Sequence, residues 1–138
     1  MPENESHDKI GTTARLIAYL RTFTDIPFSK EIAEATDAKK DFKTLAGTSG
    51  PSMAQFAFIW EARYKATNQI IERHCINQVL EIAAGLSPRG LAITEDPDVV
   101  YVATDLPLIL EQEQAIAESI LAKRHAQRSN LYFGCRCA

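Results

Sequence analysis

The sequence has no long hydrophobic run, no cluster of basic residues and few cysteines. No segment approaches the roughly 18 consecutive apolar residues that span a bilayer, and the polar start MPENESHDK lacks the order of a signal peptide. Lys and Arg total 15 against 18 Asp and Glu, so charge does not favour a nucleic acid or an anionic membrane as partner. Of three cysteines, two form a C-x-C at Cys135 and Cys137, without the spacing of a disulfide framework or a metal site. These absences predict a cytoplasmic protein.

The first 78 residues carry helical patterns. Helices are predicted over residues 12–23, from Ser29 to Ala35, and from Met53 to about His74. Thr12 or Thr13 is the expected N-cap of the first helix, and Ser29 that of the second. The polar, Gly- and Ser-rich residues 36–52 are predicted to be mostly loop. Three large residues of the long helix are expected in the core: Phe56, Ile59 and Trp60.

From residue 79 onward, strand and helix patterns alternate. Strands are predicted at VLEIAAG (79–85), which we expect to be buried, at 99–104 and at NLYF (130–133). Ser87 as N-cap and Pro88 at the first helical position are typical of a helix start. An amphipathic helix is predicted over residues 106–126. This order predicts an α/β fold with a parallel sheet, and it divides the chain into a helical region, 1–78, and an α/β region, 79–138.

The turn after the first predicted strand has the composition of a ligand-binding turn. Small residues at Ala83-Ala84-Gly85 let a ligand approach the main chain closely. Asp105 follows twenty residues later, at the end of the next strand, where a carboxylate can accept hydrogen bonds from a ribose diol. The structural alternative is a glycine turn and an ordinary Asp helix cap. Ala83 and Pro88 replace two glycines of G-x-G-x-x-G, which disfavours a dinucleotide.

The same stretch resembles a known family. VLEIAAGLSPRG followed by VVYVATDLPLIL is similar to the first two strands of class I S-adenosylmethionine (SAM)-dependent methyltransferases, and in particular to the leucine carboxyl methyltransferase-like group of O-methyltransferases. The matching residues of the first segment are Gly85, Leu86 and Arg89. Those of the second are Asp105, Leu106 and Pro107. Upstream, EARYKATNQII supplies the family's arginine as Arg63.

This resemblance implies a fold, a cofactor and a reaction. The fold would be an N-terminal helical cap followed by a Rossmann-like parallel sheet. Arg63 would pair with the carboxylate of SAM, Gly85 would lie under its methionine part, and Asp105 would hold the ribose. Glu81, Ala83 and Leu106 would complete the cofactor site. The reaction would be methyl transfer to a carboxylate or hydroxyl oxygen of a small molecule, without a metal and with no catalytic base assigned.

The resemblance also implies that the chain is an N-terminal fragment. The family's sheet has seven strands, and this sequence reaches the third. No acidic residue follows Phe133 to contact adenine. The first strand would then lie at an open edge, through which we expect self-association. Two other readings stay open, namely a non-catalytic nucleotide-binding module and an inactive remnant without a ligand.

Overall fold

The computed structural model describes residues 3–46, 55–123 and 131–133, with the side chains of residues 11–44 and 55–123. The chain forms two compact units, Met1–Arg63 and Tyr64–Ala138. The division falls inside a helix. The elements of the first unit are α1 (Glu3–Arg21), α2 (Ser29–Ala35), α3 (Ala38–Ala46) and the start of α4 (Ala57–Arg73).

The first unit is held together by the packing of α1 against α2 and α3. Its core contains Leu20 and Phe42, with Tyr19 and Trp60 packed against them. The rings of Tyr19 and Phe42 are tilted, with centroids 4.7 Å apart. A salt bridge also joins α1 to α3, from Arg15 to Asp41. These contacts explain why residues 38–46 are helical, whereas the composition of 36–52 predicted mostly loop.

Both predicted helix caps of this unit are wrong. The first helix begins at Glu3, so Thr12 and Thr13 lie inside it. The second begins at Ser29 itself, and the residue before it, Phe28, has a left-handed backbone without a side-chain cap. Ser29 is buried at the start of the helix. The preference of serine for an N-cap position was overridden here, because Phe28 and Ser29 are both buried where the chain enters α2.

The long helix α4 buries a different set of residues from the one its sequence predicts. Phe56, just before the helix, and Ile59 within it are exposed. Trp60 is half-buried, and Tyr64 is buried. Since α4 is apolar on more than one side, its period does not single out the face that is covered. The predicted starting residues, 53 and 54, lie outside the described part of the chain.

The second unit contains β1 (Gln78–Ile82), α5 (Arg89–Ile93), β2 (Val100–Thr104), α6 (Pro107–Lys123) and the short strand β3 (Leu131–Phe133). β1 and β2 are parallel, in a register from Gln78↔Val100 to Ile82↔Thr104. The three residues of β3 lie parallel to β2 on its other side. The predicted α/β class with a parallel sheet is therefore confirmed.

The two faces of the sheet differ in burial. On one face, Tyr101 and Ala103 are fully buried in a cluster with Ala84 and Leu110. On the other, Leu80 is 62% exposed and Ile82 is 77% exposed. The prediction of a buried first strand is wrong, because only one face of β1 is covered. Among the described strands, β1 lies at the end of the sheet order.

No helix in the described part of the chain combines the length and the apolar character needed to cross a membrane.

Candidate functional site

The turn that follows β1 has an unusual backbone. Ala83 has φ +55° and Gly85 has φ +61°. Left-handed backbone is tolerated by glycine but costs another residue about 1 kcal/mol. A Cβ atom placed on Gly85 would meet nothing within 4 Å, so the space beside this residue is open. Glycine is therefore favoured at position 85 by its conformation, and a ligand could approach the main chain there.

Asp105 connects the ends of the two strands. Its Oδ2 accepts a hydrogen bond from the Gly85 N–H at 2.7 Å, and its Oδ1 accepts one from the Leu106 N–H at 2.7 Å. The sequence predicted that Gly85 and Asp105 follow two consecutive strands, with Asp105 accepting hydrogen bonds from a ribose; the direct bond from Gly85 to Asp105 was not predicted. Both bonds of Asp105 go to residues outside α6, so its carboxylate does not act as an ordinary cap of that helix.

Glu81 points toward the covered face of the sheet, where it is surrounded by donors. The hydroxyl of Tyr101 donates to Glu81 Oε2 at 2.5 Å, and the Arg89 Nε lies 3.3 Å from the same oxygen. The hydroxyl of Ser87 lies 3.3–3.4 Å from both carboxylate oxygens. Glu81 thus ties the turn and the start of α5 to the sheet.

Burial raises the pKa of the Tyr101 hydroxyl far above its ordinary value. The negative charge of Glu81, its hydrogen bond to the hydroxyl, and the charge of Glu113 act in the same direction, whereas Arg89 opposes them. Tyr101 is fully buried. It therefore stays a neutral donor to Glu81 throughout the physiological pH range.

Arg89 is buried, with 8% of its surface exposed, and contacts three residues in two other elements. Besides its ion pair with Glu81 of β1, its Nη1 donates to the side-chain oxygen of Asn68 and, at 3.4 Å, to the carbonyl of Tyr64. Its guanidinium also stacks 4.8 Å from the centre of the Tyr64 ring. Since Tyr64 and Asn68 belong to α4, Arg89 joins the second half of that helix to the sheet. This explains why the compact units divide at Arg63.

Ser87 and Pro88 lie directly before the short helix α5. The helix begins at Arg89, one residue later than predicted, and its preceding residue Pro88 provides no side-chain cap. The Ser87 hydroxyl accepts a bond from the Arg89 N–H at 3.4 Å. Pro88 has helical dihedral angles, so the bond from Arg89 to the Ser87 hydroxyl is the one expected of an N-cap serine followed by a proline.

Five of the six predicted cofactor-binding residues lie at the carboxyl ends of β1 and β2: Glu81, Ala83, Gly85, Asp105 and Leu106. The sixth, Arg63, is exposed on α4 and is the last residue of the other compact unit. Sequence reasoning gave Arg89 only as a match to a family pattern, without a role. The segment that follows β1 consists mostly of small and apolar residues, and a single basic residue within it was the signal that could have identified Arg89 as a buried ion-pair partner.

No group of three or more His, Cys, Asp or Glu side chains that could hold a metal ion occurs within the described residues. Compared with known proteins, the chain matches no protein-family model, and no curated protein matches it significantly.

The strained turn leads to a pair of opposite predictions. Ala83→Gly should raise the free energy of unfolding by about 0.5–1 kcal/mol. Glycine removes the backbone strain, and this gain exceeds the stability lost because glycine increases the conformational entropy of the unfolded chain. Gly85→Ala should lower it by about 1 kcal/mol, since the new methyl group has room but the backbone does not suit it. Urea denaturation measures both. Ala92→Gly in α5 is the control and should be destabilising by about 1 kcal/mol; an equal loss in Ala83→Gly would contradict the prediction.

Proposed function

We propose that the turn 83–88 and Asp105 form the nucleoside part of a SAM site, and that the chain is a SAM-dependent O-methyltransferase with a Rossmann-like sheet. The observation that carries the proposal is the hydrogen bond from Gly85 N–H to Asp105 Oδ2. It places a carboxylate beside open main chain at the carboxyl ends of two adjacent parallel strands, which is where α/β sheets bind ligands.

The hydrogen-bonding capacity of Asp105 suits a ribose. An ionised carboxylate offers about four acceptor positions. The N–H groups of Gly85 and Leu106 occupy two of them. The remaining two match the two hydroxyl donors of a ribose diol. Asp105 can therefore bind a nucleoside without giving up the bond that fixes the turn.

The residues implied by resemblance complete the proposal. Arg63 would pair with the carboxylate of SAM, and the main chain at Ala83 and Leu106 would border the nucleoside. SAM supplies an activated methyl group, so the protein has chiefly to align the acceptor oxygen with it and exclude water. The acceptor would be a carboxylate or hydroxyl of a small molecule. The predicted cytoplasmic location stays a prediction.

Calorimetric titration of the full chain with SAM, adenosine, methionine and NAD tests the proposal. We expect binding of SAM and adenosine and no preference for NAD. Asp105→Ala should weaken SAM and adenosine alike by roughly tenfold to a hundredfold, because each loses charge-assisted hydrogen bonds, and should leave methionine unchanged. NAD binding without SAM binding would contradict the proposal.

Two further variants serve as a control for Asp105→Ala and as a test of Arg63. Asp98→Ala removes an exposed carboxylate that precedes β2, at the opposite end of that strand from Asp105, and should change no affinity by more than twofold. Arg63→Ala should weaken SAM while leaving adenosine unchanged, the opposite selectivity to Asp105→Ala. An equal loss for all three ligands in Asp105→Ala would assign Asp105 a purely structural role. Methyl transfer to an added carboxylic acid distinguishes an enzyme from a non-catalytic module.

A further inference from the structure

Glu81 was predicted to contact the cofactor, but its carboxylate is already surrounded by protein donors. Tyr101, Arg89 and Ser87 all lie within 3.4 Å of its oxygens. We propose that Glu81 is a positioning residue, which holds the turn 83–88 in its ligand-binding conformation through Tyr101 and Arg89. This inference rests on the proposed function, since it assigns a role within the same site.

The connections of Glu81 show what it would position. It belongs to β1, directly before the turn, while Ser87 lies at the far end of the turn and Arg89 begins α5. Glu81 therefore joins both ends of a segment that contains two left-handed residues. Such backbone persists only where surrounding contacts over-determine it. The open space at Gly85 and its bond to Asp105 depend on that conformation.

Substitution of Tyr101 can distinguish a Glu81 that positions the turn from a Glu81 that contacts the ligand directly. Its side chain has no exposed surface, so it cannot touch a ligand beside the turn. Its hydroxyl is nevertheless only 2.5 Å from Glu81 Oε2. Tyr101→Phe keeps the ring that packs against Ala84 and removes only the hydroxyl that bonds Glu81, so an effect on ligand affinity reports on that bond. A Glu81 that simply contacts the ligand would not require this buried donor.

The experiment compares Glu81→Gln, Tyr101→Phe and the double variant by titration with SAM and with adenosine. Each single substitution should weaken both ligands by the same factor, about tenfold. Because the two residues act in one network, the double variant should lose no more than about tenfold as well. Tyr19→Phe removes a phenol hydroxyl from the other unit and should stay within twofold of the unsubstituted chain.

A second readout needs no ligand. Hydrogen exchange of the Gly85 amide, followed by NMR, should become at least tenfold faster in Glu81→Gln and Tyr101→Phe, because its bond to Asp105 opens more often. Exchange of the Ala103 amide in β2 should change much less. Equal acceleration at both amides would indicate general destabilisation and would overturn the inference.

Other results would separate failure of the inference about Glu81 from failure of the proposed function. If Glu81→Gln weakens SAM but not adenosine, and Tyr101→Phe weakens neither, Glu81 contacts the methionine part directly and the inference is wrong. Unchanged Gly85 exchange in both variants would also overturn it. If the unsubstituted chain binds neither SAM nor adenosine, the proposed function fails, while the exchange measurement still decides whether Glu81 positions the turn.

Discussion

Replacing Arg89 with methionine should lower the free energy of unfolding by about 2–4 kcal/mol. Methionine preserves much of the volume but removes the charge, so the carboxylate of Glu81 keeps its negative charge without its cation. The side chain of Arg89 is 10% exposed and that of Glu81 is 25% exposed, which leaves little water to compensate. The hydrogen bonds to Asn68 and Tyr64 are lost at the same time.

Urea denaturation followed by circular dichroism measures the effect. Arg73→Met makes the same chemical change at an exposed position near the end of α4 and should stay within about 0.5 kcal/mol of the unsubstituted chain. Adding Glu81→Gln to Arg89→Met should recover part of the loss, since it removes the unpaired charge. An Arg89→Met chain as stable as Arg73→Met would show that the Arg89 ion pair does not stabilise the second unit.

The raised pKa of Tyr101 predicts a loss of stability in alkali. The neutral hydroxyl is favoured in the folded chain, whereas an unfolded tyrosine ionises near pH 10. The resulting stabilisation is fully present below about pH 10 and is lost as the pH rises toward the folded pKa. Its slope is about 1.4 kcal/mol per pH unit, because one proton is released on unfolding.

Comparison with Tyr101→Phe isolates this contribution, since ionisation of the other tyrosines is common to both chains. At pH 8 the variant should be less stable by about 1–2 kcal/mol, having lost the hydroxyl bond to Glu81. Above pH 10 the difference should shrink by about 1.4 kcal/mol per unit. A difference that stays constant from pH 8 to pH 11 would contradict the assignment of a neutral, buried Tyr101.

What the sequence predicted correctly depends on short-range signals. The β-branched run at 99–104 predicted β2 within a residue, and the spacing from Gly85 to Asp105 matched two residues that follow adjacent parallel strands. Parallel strands of similar length bring their carboxyl ends together, so a twenty-residue separation was informative.

The errors arose where tertiary packing decides. Residues 38–46 are helical through contacts of Phe42 and Asp41 with α1, which composition does not reveal. Leu80 and Ile82 are as apolar as the residues of a buried strand, so the sequence predicted that both faces of β1 are buried. In the structure these two side chains are exposed. The role of Arg89 depends on Glu81 and on two residues distant in sequence, Tyr64 and Asn68, and no local pattern brings them together.

The inward position of Glu81 has a consequence for the outer edge of the sheet. Natural edge strands commonly use a charged side chain to repel the edges of other sheets. The only charge on β1 is Glu81, and it is paired on the covered face, while Ile82 is 77% exposed on the other. One carboxylate cannot serve both purposes. A lysine at position 80 or 82, on the exposed face of β1, would supply that repulsion and leave the Glu81 network intact.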